Sequence, residues 1–201
     1  MTACDAITVT AVTNANPAVC TATAHGLSNG DVIEVTSGWG RLNKRVFEVS
    51  GVTTNTFELE GMNTSSTSFF PAGTGTGTVR EVTAWTQLTK VMNPSTQGGD
   101  PKTVTYKFVE SDVEYSINDG FTATSYTLEF DDDDTTAGYT AMRTLTDAQT
   151  NTVMKMLMRS GAVVYLPCTL ALNDVPRLQD GQINRISAAF AGTNRHTRYS
   201  A

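Results

Sequence analysis

FTATSYTLEFDDDDTTAGY, residues 121–139, joins a strict alternation to a run of four acids. Tyr126, Leu128 and Phe130 fall on one side of an extended chain and Ser125, Thr127 and Glu129 on the other, which predicts a strand with one packed and one wet face. The carboxylates of Asp131, Asp132, Asp133 and Asp134 read as a solvated strand end, with Asp134 placed to cap a following turn of helix. As a calcium loop the run lacks alternating ligand spacing, a mid-loop glycine and a distal glutamate.

Working outward, Val104, Tyr106 and Phe108 alternate with Thr103, Thr105 and Lys107, a second strand of the same kind. Beyond the aspartates the period changes. Tyr139, Met142 and Leu145 mark a short helical turn. Thr146 and Gln149 then have capping-box spacing, Ala148, Val153, Met154, Leu157 and Met158 follow at near-helical intervals, and Gly161 closes the run, predicting the main helix near 147–160. AVVYLPCTLAL is a strand that Pro167 pushes toward an edge, NDVPRLQDGQ a turn, and QINRISAAFA a returning strand. The tail GTNRHTRYSA has too little apolar surface for the core.

Upstream, HGLSNGDVIEV places a tight turn before a strand, and Phe47, Val49, Phe57 and Leu59 alternate with glutamates in two more. Residues 62–78, rich in Ser, Thr and Gly, form a loop or linker. The chain therefore divides into a small β module over 1–82 and a second domain over 83–201. The class is mainly β (α+β), a β-sandwich or barrel with one main helix preceded by the module.

The chain of 201 residues is 39% hydrophobic and 17% charged, with net charge −6. That balance argues against electrostatic gripping of nucleic acid, which needs a basic patch. The charge is uneven: residues 100–134 carry ten acids and two bases, residues 135–201 three acids and seven bases. No apolar run reaches bilayer length and no secretory signal is visible, so a soluble protein made in a cytoplasm, with no membrane insertion, is expected. Cys4, Cys20 and Cys168 have unrelated spacings and read as free thiols.

No cofactor, metal or catalytic residue is indicated. His25 approaches a turn and His196 lies in a polar tail, and neither has a triad motif around it. GTGTGT at 73–78 has no preceding parallel strand, following helix or Lys-Ser/Thr, so it reads as a flexible connection. Trp39, between glycines, is a loop anchor folded onto its own module in preference to a binding aromatic.

WTQLTKV from Trp85, the loop GGDPK, the strand with Tyr106 and Phe108, INDGFTATSYTLEFDDDD, a short helix ending near Gly161 and two closing strands around QDGQ together resemble the tail tube proteins of long-tailed bacteriophages. The likeness is one of element order over roughly residues 83–191. HGLSNGDVIEV, RLNKRVFEV and TTNTFELEG resemble a small β module recurrent in phage structural proteins. Many tube proteins carry an added domain at the C-terminus, whereas here the module comes first.

The resemblance implies a virion protein assembled in the host cytoplasm into hexameric rings, stacked head-to-tail as a conduit for phage DNA that passes without specific binding. It implies the tape measure, tail terminator and tail tip proteins as partners. Thr103, Thr105, Ser125, Thr127 and Glu129 are the expected lumen wall, and surplus carboxylate would repel the passing phosphates. The four aspartates are expected at a ring face or lumen rim, with the acidic and basic blocks supplying unlike ends. Gly98, Gly99, Asp100 and Lys102, within residues 93–102, are the expected stacking loop, ordering on contact. The rival is a baseplate or decoration protein whose N-terminal module binds a host-surface glycan or protein.

Overall fold

The computed structural model describes residues 5–178 and 180–200; Cys4 lies outside them. Seven short strands come first: β1 (Ile7–Val9), β2 (Ala11–Val12), β3 (Ala18–Thr21), β4 (Val32–Ser37), β5 (Arg45–Ser50), β6 (Thr56–Leu59) and β7 (Gly77–Glu81). They form one sheet in the order β1-β7-β4-β5-β6-β3-β2. Only Thr10 separates β1 from β2, so the two ends of that order are one stretch of chain and the sheet nearly closes into a barrel. Closure leaves few free edges. Inside lie Ile33, Val35, Phe47, Val49, Phe57 and Leu59, the apolar partners of the alternating glutamates.

The 73–78 stretch is not the flexible connection its composition predicts. Trp39 is 2% exposed and packs edge-on to Phe70, with ring centroids 5.2 Å apart. Its Nε1 donates to the Pro71 carbonyl and to Thr74 Oγ1, both at 2.9 Å. A Cβ on Gly75 would come within 2.8 Å of the indole, so glycine is what lets the loop lie flat on the ring.

The rest of the chain adds β8 (Val91–Gln97), β9 (Pro101–Tyr106), β10 (Tyr115–Phe121), β11 (Ser125–Asp131), α1 (Ala137–Ala148), β12 (Asn151–Leu157), β13 (Val163–Arg177), β14 (Arg185–Gly192) and β15 (Thr197–Tyr199). A second antiparallel sheet runs β12-β13-β14-β11-β8, with β15 also paired to β13. α1 covers one face, where Met142, with Tyr139 and Leu145, packs on Leu128, Phe130, Leu166, Leu170, Ile186 and Phe190. None of the described helices is long and apolar enough to cross a membrane.

The expectations for the helix and its cap, for Pro167, for the turn that follows it and for the tail are corrected here. The helix is not at 147–160: it spans 137–148, Thr136 Oγ1 caps it by accepting from the Tyr139 N–H, and Asp134 does not. Thr146 lies inside it and accepts from the Leu172 N–H, while Gln149 ends it in the left-handed region at φ 50°. Residues 151–157 form a strand because pairing with β13, from Asn151↔Thr169 to Leu157↔Val163, overrides a weak helical preference. Gly161 belongs to the β12–β13 turn, donating to the Met158 carbonyl.

Pro167 does not put β13 at an edge. It faces the gap between the last β14 pair, Cys168↔Gly192, and the first β15 pair, Tyr165↔Thr197, where no ladder bond from its nitrogen is needed. β13 also outruns the expected turn, continuing through Asn173 and Val175 to Arg177. Finally, the polar tail does join the core, since β15 pairs with β13 and Tyr199 packs against a cluster of Val32, Val46, Val82, Val153 and Tyr165.

That cluster draws residues from both sheets. Around it the Tyr165 hydroxyl donates to Glu48 (2.8 Å), the Glu48 N–H donates to the Tyr199 hydroxyl (3.0 Å), and that hydroxyl donates to the Glu60 carbonyl (3.2 Å). Arg45 donates to Thr197 at 3.2 Å and the Asn194 amide to the Asn43 carbonyl at 2.6 Å. Val82, where the sequence suggests a boundary, therefore sits within a shared apolar contact.

Candidate functional site

Strands β9 and β10 pair only with each other, as a two-stranded ribbon that leaves the second sheet between β8 and β11. The corner is made by Gly98 and Gly99, at φ +79° and +83°. A Cβ on Gly98 would run into the Ala123 carbonyl, so no other residue fits there without displacing backbone. Residues 93–102 are accordingly strand, corner and strand, not a segment without structure awaiting a partner.

Register sorts the ribbon's side chains. Val104 pairs with Ile117 and Tyr106 with Tyr115, so these and Phe108 share one face; Thr103 and Thr105, opposite Asn118 and Ser116, occupy the other. Tyr106, Phe108 and Tyr115 form an aromatic cluster with centroids 5.4–5.9 Å apart. The alternation is as expected, but the apolar face is not packed: Val104, Tyr106, Phe108, Tyr115 and Ile117 are all exposed. Lys102 bridges to Asp119 across the ribbon at 2.9 Å, and Arg195 lies over the Phe121 ring at its base, 4.6 Å from the centroid.

Ser125, Thr127 and Glu129 project from β11 on the face opposite Leu128 and Phe130, and so belong to a different sheet from Thr103 and Thr105. Glu129 is not a bare anion. It accepts from Asn93 (2.8 Å), Arg177 (3.1 Å) and Arg185 (3.4 Å), and the Asn93 amide, then Arg185, hold its carboxyl below the usual range.

The aspartates are partly committed as well. Asp131 and Asp133 both accept from Lys90, at 3.1 and 2.7 Å. Asp133 also takes the Thr135 N–H and hydroxyl, and Lys90 followed by these bonds brings its pKa down to about 2. This local network stitches the strand end to the entry of α1. Among the described residues no group of three or more His, Cys, Asp or Glu is arranged to hold a metal. His25 is a buried turn residue whose Nδ1 accepts from the Leu27 N–H.

The two ends of the second sheet follow from its pairings. At one end Ser125 faces Gln97 and Ala191, and the ribbon departs; at the other Asp131 faces Arg185, which pairs with Arg177 beside the β13–β14 turn. The four aspartates and the ribbon's carboxylates thus sit at opposite ends, and the sequence's acidic block is not one surface. Sequence reading missed Val175, Leu178 and Ile183 around that turn, which are 67%, 75% and 55% exposed.

The family model for phage tail tube protein, TTP, matches residues 37–201, well over half of the sequence. The chain belongs to this family. No curated protein matches it. The tail tube match begins at Ser37 in β4, so the family region takes in β5, β6 and β7 of the first sheet as well as the whole second sheet. With Trp39 buried, the rival reading loses the aromatic that a glycan would have used.

Proposed function

We propose that this tail tube family member is the repeating subunit of the tube: six copies close edge-to-edge into a ring, rings stack head-to-tail, and DNA passes through the bore on its way to the host. The observation that carries the reading is the ribbon's unpartnered apolar face. A two-stranded ribbon is marginal by itself in water, and one that exposes three aromatics and two β-branched residues on one side calls for cover from another chain. The Gly98, Gly99, Asp100 and Lys102 corner sets its angle and so belongs to the stacking apparatus.

Ring closure needs two unlike sheet margins, and β12 and β8 supply them. Ser125, Thr127 and Glu129 on the small, polar face of β11 are the lumen-wall residues in this reading, with Thr103 and Thr105 continuing it on the ribbon. Because two arginines offset Glu129, repulsion of DNA falls to the chain's overall charge of −6 and to carboxylates such as Asp132, which forms no ion pair among the described residues. The tape measure, terminator and tip proteins are the corresponding partners at the bore and the two tube ends, and the virion tail is the final location.

Electron microscopy of the purified chain and of the virion tests this. Stacked rings with sixfold symmetry are expected, with this chain in the tail shaft. A persistent monomer with no place in the tail refutes it.

A further inference from the structure

We propose that Arg177 and Arg185 form a latent phosphate-binding pair on the polar face of the second sheet, and that Glu129 occupies the pair so that a passing DNA strand finds no cation to hold. This rests on the tube reading above and names the residue that keeps the wall from gripping its cargo. Two irregularities of the sheet build the site. One breaks the β8–β11 register between Thr127 and Glu129, where Asn93 takes the left-handed conformation at φ 43°. Such a break re-aims a side chain, and the Asn93 amide donates to Glu129 Oε2 at 2.8 Å. The other shifts β13 against β14 between Asn173 and Arg177 and sets Arg177 directly opposite Arg185.

Like charges so placed repel each other. One carboxylate offsets the repulsion: Glu129 Oε1 accepts from Arg177 at 3.1 Å and Oε2 from Arg185 at 3.4 Å. Both guanidinium groups remain within reach of solvent, the side chain of Arg177 being 59% exposed and that of Arg185 28%. A planar fork that meets a carboxylate meets a phosphate equally well. Among the described residues, the ion pairs at this end of the sheet join Glu129, Asp131 and Asp133 to Lys90, Arg177 and Arg185, three acids to three bases. Neutralising Glu129 therefore leaves an excess positive charge beside two freed arginines, while the chain as a whole stays acidic. Next to them on the same face Ser95, Ser125 and Thr127 are small and uncharged, so nothing bulky would hold a phosphate away.

The purified full chain is mixed with a short fluorescent DNA duplex, and binding is read by anisotropy and co-sedimentation at ~20 and ~100 mM sodium chloride. The unmodified chain is expected to stay below detection. Glu129→Gln and, independently, Glu129→Thr are expected to bind at least about tenfold more tightly at the lower salt, and to lose at least about tenfold in affinity at the higher one, as neutralisation of about two phosphates requires. Adding Arg177→Gln and Arg185→Gln to either variant is expected to abolish binding. Glu110→Gln, which removes the same charge between β9 and β10, is expected to change nothing. An unmodified chain that already binds, Glu129 variants that do not, binding that survives loss of the arginines, or an equal gain from Glu110→Gln overturns the masking and leaves the tube reading intact. Unfolding of both Glu129 variants overturns it too, because the carboxylate would then be a structural requirement. Binding gained as expected in a chain that forms no rings or tubes under any condition keeps the latent site and overturns the tube reading.

Discussion

Replacing Trp39 with alanine removes a fully enclosed indole, its edge contact with Phe70 and the cover for two loop acceptors. The expected loss is about 3–5 kcal/mol, read from denaturant unfolding. An unchanged midpoint would show that the 71–76 loop does not depend on the ring. Alkaline pH acts on other buried residues. Burial pushes the thiols of Cys20 and Cys168 from 9.0 up to about 12, and burial first also raises Tyr199 from 10.0 to about 12. Each group stays protonated in the folded chain after its unfolded counterpart has ionised. Stability from these groups is therefore complete below pH 9 and is lost as pH rises from about 9 to 12. Melting temperature should fall across that window, and less steeply in Cys20→Ala and Cys168→Ala chains; a flat profile counts against the burial of the thiols.

At the scale of elements, Thr136→Ala should cost about 1 kcal/mol by leaving the Tyr139 N–H of α1 without its cap, measured by the same unfolding. The helix also shows what the sequence could and could not convey. Its residues Tyr139, Met142 and Leu145 were recognisable as helical, yet the longer periodic run after Thr146 outweighed them. TVMKML fits either period, and only the presence of β13 alongside decides for a strand. The alternating strands of the barrel were legible because each carries its own inside and outside. The ribbon's alternation was equally plain, but whether an apolar face finds its cover within the chain is a long-range fact that spacing does not contain. The same holds for Glu129: its place on the polar face of the strand could be read, while Arg177 and Arg185, 48 and 56 residues away, could not be assigned to it. Gly98→Ala should displace the ribbon without melting the body, giving faster hydrogen exchange over 101–121 and weaker assembly at an unchanged melting temperature.

For the whole molecule, the last residues tie its parts together. Asn194 and Tyr199 hold the barrel, Thr197 and Tyr199 pair with β13, and Arg195 rests on Phe121 at the ribbon's base. Removing residues 194–201 should split a single calorimetric transition into two, the barrel and the helix-backed sheet melting separately. One transition at the original temperature would assign the coupling to Val32, Val46, Val82, Val153 and Tyr165 alone. The paired glycines at the corner matter most at a still larger scale. In the proposed assembly every inter-ring connection would run through this close-packed corner, so the angle set by two residues in each copy would be repeated along the whole shaft. A long tail would then owe its regular pitch to one bend copied many times over, and a change at either glycine would be multiplied by the number of rings.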